Sequence, residues 1–282
     1  MTTISQAEYW NSEGGARWVR QQPILDALFT EHGLRALDAS GVRDGDTVLD
    51  VGCGCGATTL MVAAKVGPRG LAVGVDVSAP MLSLARERAQ AEGRSNVRFE
   101  LGDVQVHPLG EGRYDAVVSR LGIMFFDEPA TAFARLRRAL RPGGRFGAVC
   151  WRAPSENPWI TLPMTAIAGL VQVAPVDPDA PGPFSLAPPG RARSLLESAG
   201  FVDVRVEALD LPLRFGGTSA EAASLLVEMG PAGRALSGVE QRVWRDAVGA
   251  IAAAVDPYTS AAGAILPGAA WLVTARGELS SR

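Results

Sequence analysis

Two cysteines, each enclosed by glycines, sit in residues 48–59, which read VLDVGCGCGATT. Their types and spacing allow two unlike chemistries, thiol coordination of a metal or a backbone cradle for a nucleotide. A structural zinc site needs four ligands, usually in two close pairs or with histidines added. The remaining candidates here, Cys150, His32 and His107, are scattered singly, and C-x-C is tighter than the usual ligand spacing. No metal is expected. Gly52, Gly54 and Gly56 instead let a chain turn sharply and approach a ligand that any Cβ would repel.

Those glycines fit two templates. Gly52-x-Gly54-x-Gly56 is the loop of S-adenosylmethionine enzymes, and Gly52-x-Gly54-x-x-Ala57 is an acceptable dinucleotide fingerprint. A tight turn without a ligand is the third reading. The flanks separate them. Asp50, two residues before the first glycine, places a carboxylate where an ammonium and a sulfonium are welcome and a pyrophosphate is not. Asp76 suits paired ribose hydroxyls under either template, and Asp103, after Gly102, suits an adenine amino group.

These acids need strands to carry them, and the hydrophobic periodicity supplies them. Strands are expected over 47–51, 70–76, 97–101, 114–119, 145–151, 201–208 and 269–276, with helices over 58–65, 80–92 and 129–140 between the early ones. Ser78 is placed to cap the second helix and Gly93 to stop it. The RPGG of 141–144 reads as the stop of the third. Alternation at this spacing means βαβ units, so the expected fold is α/β, a doubly wound, seven-stranded, mostly parallel sheet. Ligands of such sheets bind beyond the carboxyl ends of the strands, where the glycine loop, Asp76, Asp103 and Ser119 all fall. A Pro/Gly-rich loop is expected over 175–190. Helical patterns at 219–229 and 239–255 make 211–267 an insertion, read as a substrate lid. Residues 1–40 read as a helical cover, with 41–210 and 268–282 forming the cofactor-binding domain.

Composition narrows the function classes. The chain has 282 residues, 47% hydrophobic and 20% charged, with a formal net charge of -3. It has no Lys/Arg block of the kind that sits on nucleic-acid phosphates, so no nucleic-acid partner is expected. Of its 27 basic residues Lys65 is the sole lysine. The longest uncharged run, 157–176, is broken by Pro158, Pro163 and Pro175, so no membrane span is expected. Three cysteines make no disulfide framework, and the expected setting is cytoplasmic.

Taken together, LDVGCGCG, GVDVS, LGDV, YDAVVSR and LRPGGRF resemble the class I S-adenosylmethionine-dependent methyltransferases, close to the ubiquinone/menaquinone-biosynthesis-like group that acts on small molecules. The resemblance covers residues 45–151 and implies a Rossmann-like sheet whose last strand is antiparallel. It implies that S-adenosyl-L-methionine is the cofactor. Carried onto this chain, Asp50, Gly52, Gly54 and Gly56 line the methionine side and Asp76, followed by Val77, holds the ribose. Met81 packs on the adenine, Gly102, Asp103 and Val104 border its edge, and Ser119 and Arg120 sit near the methyl group. The leader YWNSEGGARWV, residues 9–19, also resembles this group, which brings Trp10, Trp18 and Asn11 over the cofactor; both tryptophans alternatively pack a helix on the sheet.

The acceptor is constrained more by exclusion. After Ser119 the chain reads RLGIMFF, without the Pro-Pro-aromatic element used on base amines, and Cys150 lacks the preceding proline of cytosine-C5 enzymes. Met124, Phe125, Trp151, Trp159 and Tyr258 are the expected substrate contacts for a small apolar or aromatic metabolite. Arg120, Glu156 and Tyr258 are the candidate polar groups, and no general base is assigned. His32 and His107 are expected to be a helix-end and a surface-loop residue. An NAD(P)-dependent oxidoreductase needs a second catalytic set such as Tyr-x-x-x-Lys, which one lysine at 65 does not supply. A non-catalytic cofactor-binding scaffold is the third class.

Overall fold

The computed structural model describes residues 5–172 and 180–279. The expected 175–190 loop therefore lies partly outside the described residues. The chain divides into two compact units. The first holds residues 1–151, 180–209 and 271–282, and the second holds 152–179 and 210–270.

The first unit opens with three helices, α1 (Gln6–Trp10), α2 (Glu13–Arg20) and α3 (Gln22–Ala39). Ser5 caps α1 by a capping box with Glu8, which satisfies two of the amides that a helix start leaves orphaned. The alternation then begins: β1 (Thr47–Val51), α4 (Ala57–Val66), β2 (Leu71–Asp76), α5 (Ala79–Ala91), β3 (Val97–Leu101), β4 (Tyr114–Arg120), α6 (Pro129–Ala139) and β5 (Leu140–Trp151). β1 and β2 are almost wholly buried, as strands covered on both faces must be. β3, with Arg98 and Glu100, is half exposed, in keeping with its place at the sheet edge.

After α7 (Pro158–Ile167) and α8 (Arg191–Ser198) come β6 (Phe201–Arg214), α9 (Ser219–Met229), α10 (Pro231–Ala235), α11 (Gln241–Val255), the two-residue β7 (Thr259–Ser260) and β8 (Gly263–Gly277). The strand order is β3-β2-β1-β4-β5-β8-β6, with β7 paired to β8 off that path. The pairs β1–β2, β1–β4, β2–β3 and β4–β5 are parallel, and one strand of the sheet is antiparallel. The expected α/β architecture is therefore present. The chain order reverses between β1 and β4, so the switch point lies there.

Four boundaries differ from the sequence reading. β5 starts at Leu140, because Tyr114 already pairs with Leu140 before a register shift absorbs the RPGG turn, where Gly143 has φ +69°. β6 and β8 are much longer than their apolar cores suggested. Residues 152–179, which the sequence reading kept with the α/β domain, group with 210–270, because α7 packs on α9, α10 and α11. Among the described residues no helix is long and apolar enough to cross a membrane.

Candidate functional site

The glycine loop follows β1, and each of its three glycines has positive φ, +65° at 52, +53° at 54 and +83° at 56. Their surroundings differ in a way that matters. A Cβ on Gly52 would stand 2.8 Å from Gly122 Cα, and one on Gly56 would stand 2.9 Å from Ala85 Cβ. Those two positions are closed by the protein itself. At Gly54 the nearest atoms are Met81 Sδ and Trp18 Nε1, both 3.9 Å away. The open glycine of the loop thus faces Met81, which the sequence reading put on the adenine, and Trp18, which it put with Trp10 over the cofactor.

Asp76, at the end of β2, is buried and braces the loop. One carboxylate oxygen accepts the Gly54 N–H at 2.8 Å and the other accepts the Ser78 N–H at 2.8 Å. Burial raises its pKa from the ordinary carboxylate value. Asp50 is only 1% exposed; one of its oxygens accepts the Thr59 hydroxyl at 2.6 Å and the other, Oδ1, has no partner. Burial pushes Asp50 up to about 6, against the opposing pull of the Thr59 hydroxyl and the Arg120 charge. A buried carboxylate oxygen without a donor is costly, so it marks a place where a donor is missing.

The leader reaches this region through the backbone of the β2–α5 turn. Asn11 Nδ2 donates to Val77 O at 2.7 Å and Asn11 Oδ1 accepts from Ala79 N at 2.9 Å. Ser78 Oγ donates to Trp10 O at 2.6 Å, beside Gly15, which has no room for a Cβ. Asn11 thus ties the leader to the β2–α5 turn. Trp10 meets Trp18 and Phe125 edge to face at centroid distances of 5.7 and 5.3 Å, and Trp18 stacks on Phe29 at 6.5 Å. Phe29 continues edge to face to Trp151 at 5.9 Å. These rings form one continuous aromatic wall.

Met124 is buried, its sulfur accepting the Trp151 N–H at 3.2 Å. Ser119 is buried too; its hydroxyl donates to Val51 O and accepts from Gly122 N, tying β4 to the end of β1. Val104 is buried and Gly102 and Asp103 are half-buried. The Asp103 carboxylate accepts from the backbone and side-chain nitrogens of Gln105 at 2.8 to 2.9 Å.

Trp159 and Tyr258 fall in the second unit. There Trp159 is buried, donating to Asn157 Oδ1 at 2.9 Å, and Tyr258 lines a cavity of about 580 Å³ together with Arg152, Glu156 and Asp210. Arg152 is ion-paired to both acids.

Two features were missed by the sequence reading. His32 lies within α3, not at its end, and is 0% exposed between Phe29 and Trp151, with both ring nitrogens unpartnered. Burial, aided by the Arg120 charge, lowers it to about 4, so it is neutral near pH 7. Its place among apolar positions of a helical stretch was the available signal. The second is Asp26 on α3, which gathers Arg88 at 2.8 Å, Arg120 at 3.2 Å and Gln22 at 2.5 Å. Nothing local in the sequence joins residues so far apart. His107 pairs with Glu100 at 2.9 Å.

The cysteines are enclosed by the protein. Cys53, Cys55 and Cys150 are buried, and burial pushes Cys55 and Cys150 to about 12 and Cys53 well above its ordinary value. Among the described residues no three His, Cys, Asp or Glu side chains are grouped to hold a metal.

The chain's similarities point the same way as this geometry. Residues 48–144 match the family described as "Methyltransferase domain". The chain is 35% identical over 197 residues to a nocamycin O-methyltransferase of Saccharothrix syringae, spanning 67% of this chain and 70% of that one. It is 34% identical over 122 residues to a ubiquinone/menaquinone biosynthesis C-methyltransferase of Pseudomonas aeruginosa, 43% of this chain and 48% of that one. A Haemonchus contortus phosphoethanolamine N-methyltransferase, solved with S-adenosyl-L-methionine, shares the fold, with a TM-score of 0.59 at 17% identity, over 98% of this chain and 60% of that one.

Proposed function

Because the chain belongs to the class I S-adenosylmethionine-dependent methyltransferases, we propose that it methylates a small apolar or aromatic metabolite held against the wall formed by Trp10, Phe125 and Trp151. The observation that carries this reading is the run of packed rings, edge to face except where Trp18 stacks on Phe29, beside the open glycine. Such a wall buries apolar area and offers few polar partners, which favours an apolar acceptor. The name of the Saccharothrix relative, an O-methyltransferase, supports an oxygen atom as the nucleophile.

The residues present fit the cofactor. Gly54 leaves the loop open, Asp76 is a buried acid with lone pairs beyond those it gives the loop, and Asp50 Oδ1 lacks a donor. In this proposal Asp76 takes the ribose hydroxyls, Asp50 the ammonium, Met81 and Val104 the faces and edge of the adenine, and Trp18 the space over Gly54. When bound, the cofactor supplies a sulfonium whose methyl group is open to in-line attack. The chain's own part is alignment and exclusion of water. Holding nucleophile and methyl at attack distance is worth roughly 7–11 kcal/mol of barrier, and closure by the leader strengthens the electrostatics inside.

The acceptor assignment is tested with Phe125→Ala. With S-adenosylmethionine saturating, the variant is expected to raise KM for an aromatic acceptor about tenfold, the effect of losing one ring contact worth ~1.4 kcal/mol. Its affinity for S-adenosylhomocysteine should stay close to wild type. An acceptor KM unmoved by the change would remove Phe125 from the acceptor site.

Asp50 gives the site a pH dependence. The carboxylate must be ionised to hold an ammonium, and in the free protein it titrates at about 6. Cofactor affinity should be level above pH 7 and fall as pH drops through 6, by up to ~tenfold per pH unit until the bound state's lower pKa is reached. Calorimetric titrations with S-adenosylhomocysteine from pH 5 to 8 check this. An affinity rising on acidification would have the wrong sign.

A further inference from the structure

We propose that Arg120 is the anchor for the cofactor's α-carboxylate, so that Arg120 and Asp50 together read the amino-acid head as a zwitterion. The inference deepens the cofactor site described above and rests on it. It differs from a place near the methyl group, which is what the resemblance implied for this residue.

The starting point is a matched pair of unsatisfied groups. Arg120 is 90% buried, its side chain 10% exposed. Its Nη2 donates to Asp26 at 3.2 Å, and its Nη1 is buried with no hydrogen-bond partner. Asp50 Oδ1 is in the same condition with the opposite sign. A buried polar atom of an ionised group left without a hydrogen-bond partner is costly, so native proteins rarely keep one without use for it. Here there are two such atoms, the donor Arg120 Nη1 on β4 and the acceptor Asp50 Oδ1 on the neighbouring β1.

Their closeness follows from the strand register. β1 and β4 are parallel neighbours, with Asp50 opposite Val118. Arg120 lies two residues beyond Val118, so its side chain leaves the same face as that of Asp50, from a strand about 4.8 Å away. The continued register sets Arg120 level with Gly52, the first glycine of the loop. Arg120's charge acts on Asp50, on His32 and on the Cys55 thiol, which places the guanidinium among α3, β1 and the loop. The fold makes room for it. Arg120 Cδ would lie 3.3 Å from a Cβ on Gly33, so a glycine in α3 lets the arginine pass.

The local charge balance leaves Arg120 available. Asp26 is shared between Arg120 and Arg88, and Arg88 also donates to Cys55 O at 2.6 Å. One carboxylate thus faces two guanidinium groups, and a second anion completes the set. An anionic acceptor would answer Arg120 alone. A bound α-amino acid answers both orphans at once, its ammonium to Asp50 and its carboxylate to Arg120, where two nearly parallel N–H donors suit a carboxylate.

The test compares two ligands in calorimetric titrations: S-adenosylhomocysteine, and its decarboxylated analogue S-adenosyl-3-thiopropylamine, which keeps the ammonium and lacks the carboxylate. Wild type is expected to prefer S-adenosylhomocysteine by ~30-fold or more, the scale of a buried charge pair. In Arg120→Gln the preference should collapse towards one, through loss of S-adenosylhomocysteine affinity, while the analogue binds as before. Arg120→Lys should keep part of the preference. A preference that survives Arg120→Gln overturns the inference. Equal loss of both ligands overturns it too, since Arg120 would then serve the site as a whole. Failure of wild type to bind either ligand would instead strike the cofactor site itself.

Discussion

Gly54→Val is expected to abolish detectable binding of S-adenosylhomocysteine while the protein stays folded. The reason is the open space at this glycine, which its loop neighbours Gly52 and Gly56 lack. Its φ of +53° makes any side chain strained, at a cost of roughly 1–2 kcal/mol. The protein itself does not collide with the new Cβ, whose nearest neighbours are 3.9 Å away. A valine there fills the space beside Trp18 and Met81 that, in the proposed assignment, the cofactor occupies. Thermal melting should fall by only a few degrees, as a strain of that size implies for a chain of this length. Cofactor affinity should drop more than ~100-fold, since the ligand meets a side chain where it needs bare backbone. Gly56→Val makes the useful contrast. Its Cβ meets Ala85 and Phe99 at 2.9 and 3.0 Å, so that variant should lose stability first.

The second large effect is expected for Asp76→Asn, which should damage fold and binding together. The carboxylate accepts two backbone N–H groups, those of Gly54 and Ser78, in a buried setting. An amide keeps one acceptor oxygen and turns an NH2 towards the other N–H. Leaving a buried donor facing a donor costs about 1–3 kcal/mol, and the loop it held loses its shape. The ribose, in the proposed assignment, also loses an ionised acceptor. A melting temperature lower by ~5 °C with cofactor affinity down at least ~100-fold would fit. Circular dichroism melts and calorimetry on the same preparations separate the two effects. A variant as stable as wild type would show that Asp76 does not brace the loop.

What was legible in the sequence is what short stretches encode. The β1 strand, the glycine loop, the Ser78 cap and the acids at strand ends are each specified within a few residues, because apolar period, positive φ and capping are local demands. Ser78 does cap α5, accepting from Met81 N. The parts that were not legible depend on partners far away in the chain. Asp26 reaches Arg120 across 94 positions, and no local pattern announces that pairing. Burial of His32 came from the packing of α3 beside Trp151, which turned a polar residue inward among aromatics. β5 began early because Leu140 found Tyr114, a pairing that overrode the turn signal of RPGG. The grouping of 152–179 with 210–270 was decided by the packing of α7 on α9 and α11, a tertiary fact that composition did not carry.

The central claim is that the open glycine loop and its two buried acids form the seat of S-adenosylmethionine. A crystal structure with S-adenosylhomocysteine tests it most directly. The predicted result has both ribose hydroxyls within ~3 Å of the Asp76 carboxylate, the backbone of Gly54 against the ligand, and the ammonium on Asp50 Oδ1. A ligand seated away from Gly54, with Asp76 still engaged only by Gly54 and Ser78 and Asp50 Oδ1 still without a donor, would contradict it.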